Sequence, residues 1–120
     1  MSFTVELGGA PVVCSGGPQT SLYILLGHPV AHSRSPVMQQ AAFQAAGIDA
    51  TYIACDIPPA NLSAAWSDLR RLATSGRLGG VNITVPHKQA SLAALDGVAP
   101  RAALAGAVNT VVVQRAAAAT

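Results

Sequence analysis

The chain has 120 residues, 51% of them hydrophobic and only 10% charged, with a formal net charge of +2. That length supports one domain with its own core, and the charge fraction, against about 25% in an average soluble domain, leaves a surface poor in solvated charge. Six scattered arginines and one lysine make no basic face for nucleic acid, and no apolar stretch reaches the ~18 to 20 residues of a membrane span.

Residues 1–20 carry two Gly-Gly pairs with Pro11 and Pro18, which predicts an extended leader with at most a short edge strand. The N-terminus lacks the basic, apolar and small-residue order of a signal peptide, so a cytoplasmic protein is expected. Cys14 and Cys55 have no CxxC spacing and no helical His pair beside them, and are expected to be ordinary reduced thiols rather than metal ligands.

From Ser21 the pattern changes. Leu22 to Leu26 is a continuous apolar run bounded by Gly27 and Pro29, the mark of a strand buried on both faces. The loop from Gly27 to Arg34 leads to Ser35-Pro36, read as a cap followed by proline at the first helical position. That helix should run to Ala46 and end at a left-handed Gly47. Residues 50–57 suit a second strand, stopped by Pro58-Pro59. Leu62, Ala65, Trp66, Leu69, Leu72 and Ala73 form an apolar stripe of helical period, with Asp68, Arg70 and Arg71 off it. Residues 78–85 read as a third strand, 86–95 as a third helix, 100–104 as a short fourth, and 109–114 as a last strand. Strands alternating with helices predict an α/β fold, a three-layer αβα sandwich around a mostly parallel, mixed sheet.

Three stretches could carry chemistry. Val81-Asn82-Ile83-Thr84-Val85-Pro86-His87-Lys88 crosses from a strand end to an expected helix start and holds the only lysine. Ligands bind such sheets outside the strand C-termini, and a lysine against the positive end of a helix macrodipole has its charged form disfavoured, which suits proton transfer. The plain alternative is an exposed lysine on a helix surface. His32-Ser33-Arg34-Ser35-Pro36 offers two hydroxyls beside a helix N-terminus, able to hold a carboxylate or polyol, or else a mere cap and loop filler. Gly106-Ala107-Val108-Asn109-Thr110 puts an Asn at the mouth of the last strand, where it either binds a ligand or ties down a loop.

Together and in this order, these stretches resemble the substrate-binding domain of the shikimate dehydrogenases, in which Gly-x-Pro-x-x-His-Ser-x-Ser-Pro, Asn-x-Thr-x-Pro-x-Lys and Gly-Ala-x-Asn-Thr recur. Here they stand as Gly27 to Pro36, Asn82 to Lys88 and Gly106 to Thr110. The resemblance implies a two-domain, NADP-dependent enzyme interconverting shikimate and 3-dehydroshikimate. It implies that Ser33 and Ser35 bind the substrate carboxylate, that Thr84 and Asn109 bind ring hydroxyls or carboxylate, that Asn82 shapes the pocket, and that Lys88 is the catalytic lysine. The family's lysine works beside an aspartate in an Asn-Thr-Asp-Gly stretch, which is missing here, and Gln39 stands where many relatives place a histidine.

No Gly-x-Gly-x-x-Gly occurs in the chain, so the expected NADP site belongs to a nucleotide-binding domain absent from it. The expected organisation is a leader at 1–20, the substrate-binding domain at 21–115 and a cut end at 116–120, with the missing domain and the substrate as partners, no metal, and a homodimer left open. The alternatives are a stand-alone binding module for a shikimate- or quinate-like hydroxy acid, and a quinate-preferring dehydrogenase using the same motifs.

Overall fold

The structure is a computed structural model and describes residues 1–114; the expected cut end at residues 116–120 lies outside them. Its amino terminus corrects the expected leader. Ser2–Leu7 (β1) and Ala10–Ser15 (β2) pair antiparallel around Gly8 and Gly9, whose φ angles of 63° and 91° meet the demand of a tight hairpin turn for positive φ at both central residues. Phe3, Val5, Leu7, Val12 and Cys14 face the core, while Ser2, Thr4 and Glu6 stay exposed.

The main sheet contains Ser21–Gly27 (β3), Ala50–Asp56 (β4), Leu78–Ile83 (β5) and Thr110–Val112 (β6), in the order β4-β3-β5-β6. β3 runs parallel to β4 and β5, and β6 antiparallel to β5, so the sheet is mixed as the alternation of elements predicts. Central β3 is buried on both faces because successive side chains point oppositely. Leu22, Ile24 and Leu26 meet the core formed with Leu62, Ala65, Trp66 and Leu69 of α2 (Leu62–Thr74). On the other face Tyr23 packs on Phe43 of α1 (Ser35–Ala46), ring centroids 5.1 Å apart. The result is the expected three-layer sandwich.

Two local readings are corrected. Arg34, not Ser35, is the cap residue of α1, and the side chain that serves the helix start is Ser33, whose Oγ accepts the Ser35 N–H at 3.2 Å. Asp68, off the apolar stripe of α2, is nevertheless buried because the amino-terminal hairpin lies over α2: its carboxylate accepts the Gly8 N–H at 2.9 Å and pairs with Arg71. Residues 86–95 are not an α-helix. They form turns followed by a 3-10 helix at Ala90–Ala94, because two buried side-chain bonds pull the segment against its surroundings: His87 Nε2–H donates to the Ile57 carbonyl at 2.6 Å, and Trp66 Nε1–H to Ser91 Oγ at 3.1 Å. Gly47 ends α1 with a φ of 68°, as expected. A short helix, α3 (Pro100–Ala105), ends likewise at Gly106.

Both cysteines are free and buried. Burial, with Cys14 adding to it, pushes the Cys55 thiol up to about 12. The native thiol therefore stays protonated where the unfolded chain already ionises, above about pH 8.5. Its contribution to stability is whole below that pH and is lost as pH climbs toward 12. Urea unfolding at pH 8.5 and 10 should show the wild-type chain losing roughly 1 to 2 kcal/mol more than Cys55→Ala. Equal losses would mean that water reaches the thiol. Among the described residues no helix is long and apolar enough to cross a membrane.

Candidate functional site

Local backbone bonds stitch the three sequence stretches together at the C-terminal ends of β3 and β5. The Thr84 N–H donates to the Leu26 carbonyl at 2.8 Å and the His28 N–H to the Val85 carbonyl at 3.1 Å, joining the first stretch to the second. The Val108 N–H donates to the Lys88 carbonyl and the Ile83 N–H to the Asn109 carbonyl, both at 2.9 Å, joining the second to the third. Such cross-links fix which loops lie together at the strand ends before any side chain is considered. Gly27 makes a close approach between these loops: a Cβ there would run into Thr84 Cγ2 and lie 2.8 Å from Val30 Cγ1.

Ser33 and Ser35 are half-buried at the start of α1. Because Ser33 Oγ uses a lone pair on the Ser35 N–H, its own proton remains available to an anion. Thr84 and Lys88 are half-buried as well, and Asn109 is exposed. Lys88 stands in a turn and not in the first turn of a helix, so the macrodipole expected to act on it is not there. What places it is the backbone, held by Val108 on one side and by the buried His87 on the other.

Among the described residues the Lys88 ammonium has no ion-pair or hydrogen-bond partner. The carboxylates near enough to other groups are engaged elsewhere: Asp49 with Thr20, Asp56 with His28 at 2.5 Å, Asp68 with Gly8 and Arg71, and Asp96 with Arg70. An apolar concavity of about 610 Å³ between α2, β5 and β6, lined by Trp66, Leu69, Val81 and Val108 among others, includes none of the six sequence-nominated site residues.

Sequence reading misses Tyr52, His87 and Thr110. Tyr52 is buried on β4 and its hydroxyl donates to Asn82 Oδ1 at 2.8 Å, while Asn82 Nδ2–H donates to Thr110 Oγ1 at 3.2 Å. Burial raises the Tyr52 phenol above its ordinary range, which keeps it a neutral donor. Tyr52 resembles any aromatic strand residue in sequence, and its contact lies two strands away; only the sheet order reveals it. Thr110 is visible within the third stretch but has no partner in sequence to define its role.

Among the described residues the strand-to-helix turn that a dinucleotide would need is not built. The β3–α1 connection follows a single glycine, Gly27 at the end of β3, and the first turn of α1 contains Pro36, which removes an N–H that would face a phosphate. These residues do not fit NADP.

The fold thus defines an open α/β domain whose strand C-terminal ends, where such sheets take ligands, carry hydroxyls, amides and one lysine. A family model described as the shikimate dehydrogenase substrate binding domain matches residues 25–111, and the chain belongs to that family. The shikimate dehydrogenase (NADP(+)) of Symbiobacterium thermophilum is 54% identical over 98 residues, covering 82% of this chain and 32% of that protein. Among solved structures, shikimate 5-dehydrogenase of Thermus thermophilus, in complex with NADP(H) and shikimate, is 43% identical with a TM-score of 0.66, covering 78% of this chain and 34% of that one. The ligand-free 5-ketofructose reductase of Gluconobacter sp. strain CHM43 is 34% identical with a TM-score of 0.73, covering 82% and 34% respectively. The chain spans about a third of the length of the curated relatives it matches.

Proposed function

We propose that this chain is the substrate-holding domain of an NADP-dependent shikimate dehydrogenase, with residues outside it binding the nucleotide. The observation that carries this reading is the convergence of the three stretches, each bonded to the next, at the strand ends. Ser33 and Ser35 hold the substrate carboxylate, whose hydrogen bonds are charge-assisted and worth about 1.5 to 3 kcal/mol each when enclosed. Asn82, Thr84 and Asn109 receive ring hydroxyls. Lys88 exchanges a proton with the hydroxyl that is oxidised, as a positioned acid or base does. The hydride acceptor, NADP⁺, is held by the remainder of the two-domain protein, and the aspartate partner of Lys88 comes from there too.

The family also fits a protein named for 5-ketofructose, so the crevice chemistry admits polyols other than shikimate. Carboxylate recognition separates the two. In the full-length protein, NADPH should form from NADP⁺ and shikimate, and Ser33→Ala with Ser35→Ala should raise the shikimate KM by at least tenfold. Turnover of an uncharged polyol in preference to shikimate would sink the carboxylate assignment. With one wall of the crevice open to water, the 120-residue chain alone should bind shikimate no tighter than about millimolar, and sub-micromolar binding would favour a stand-alone binding module.

A further inference from the structure

Asn82 is gripped from both sides across the four-stranded sheet. Tyr52 on β4 donates to its Oδ1 at 2.8 Å, over the intervening β3, and Thr110 on β6 accepts from its Nδ2 at 3.2 Å. Tyr52 is itself held by Gln40 of α1, whose Oε1 accepts the Tyr52 N–H at 3.1 Å while its Nε2 donates to the Ala50 carbonyl at 3.2 Å. We propose that Tyr52 is a positioning residue that, with Thr110, fixes the plane of the Asn82 amide and so sets how it meets one hydroxyl of the substrate. This rests on the function proposed above.

The count of hydrogen-bonding sites gives the reason. A carboxamide offers two N–H groups and two oxygen lone pairs. Tyr52 takes one lone pair and Thr110 one N–H, which leaves one of each for a ligand. One donor beside one acceptor matches a single hydroxyl group, which both accepts and donates. An amide free to rotate or to turn over would present that pair in the wrong order for part of the time, and the ordering cost would then fall on substrate binding. Tyr52 touches no substrate in this arrangement; its effect passes through Asn82 alone.

The test is a double-mutant cycle in the full-length enzyme. Tyr52→Phe keeps the ring and removes the donor, and should raise the shikimate KM about tenfold while kcat stays within threefold. In an Asn82→Ala background the same replacement should change KM less than twofold. A merely structural Tyr52 would lower the melting temperature and the active fraction without this dependence on Asn82. If Tyr52→Phe does not yield folded enzyme, Thr110→Val removes the opposite grip from an exposed position and is read in the same cycle with the same expectation. A KM within twofold of wild type, or an equal rise in both backgrounds, overturns the role given to Tyr52. A wild-type enzyme inert toward shikimate is a different outcome, and it sinks the proposed function and with it this inference.

Discussion

Lys88→Met in the full-length protein is expected to lower kcat by about 10²- to 10⁴-fold, the usual contribution of a positioned general acid or base, with shikimate affinity within about tenfold of wild type. Met matches the length of most of the lysine stem and keeps its packing, so the half-buried position is not emptied. The local fold should also survive, because what holds this residue is its carbonyl, which accepts the Val108 N–H at 2.9 Å, and its buried neighbour His87. Lys88→Arg sharpens the test. Arginine keeps the positive charge but does not release its proton in proteins, so an arginine variant as inactive as the methionine one points to proton transfer rather than to a fixed charge. Steady-state kcat with calorimetric binding of shikimate separates the two quantities, and retained turnover in Lys88→Met removes this lysine from the chemistry.

How much of the molecule is legible in its sequence differs between elements for identifiable reasons. β3, α1 and α2 can be read because their signals are local: an uninterrupted apolar run, a glycine stop and a stripe of helical period. The hairpin at Ser2–Leu7 and Ala10–Ser15 escapes such a reading although Phe3, Val5 and Leu7 alternate with Ser2, Thr4 and Glu6. There the count of glycines and prolines suggests a leader, whereas Gly8-Gly9 is the turn of a hairpin. The burial of Asp68 has no local signal either, because it depends on that hairpin lying over α2. The segment 86–95 misleads for the same kind of reason, since Ile57 and Trp66, distant in sequence, hold His87 and Ser91. At the site, the resemblance to the shikimate dehydrogenases nominates Ser33, Ser35, Asn82, Thr84, Lys88 and Asn109, and the backbone bonds bring their loops together. The contacts that orient them, above all Tyr52 to Asn82, cross strands and have no periodicity to announce them.

Gly27→Ala is expected to damage both stability and activity, and it does so through space rather than backbone conformation. Gly27 ends β3 and is not among the glycines with positive φ, so alanine can adopt its dihedrals. Its methyl group, however, would run into Thr84 Cγ2 and meet Val30 Cγ1 at 2.8 Å, about 1 Å inside ordinary carbon contact. Neither neighbour yields easily, because the Thr84 N–H is bonded to the Leu26 carbonyl and the His28 N–H to the Val85 carbonyl. Relief therefore requires the Gly27–Arg34 loop and the Thr84–Lys88 turn to move apart. Overpacking of this kind costs about 1 to 3 kcal/mol, to be read from urea unfolding. The same movement would separate the serines from Thr84 and Lys88, and a misplacement near 1 Å at a reacting centre can cost about 10²-fold in rate, so kcat/KM should fall by roughly that factor. Gly97→Ala is the control: nothing lies within 4 Å of a Cβ there, and both readouts should stay close to wild type. A Gly27→Ala protein with unchanged kcat/KM would mean that the two loops need not be held in contact for catalysis.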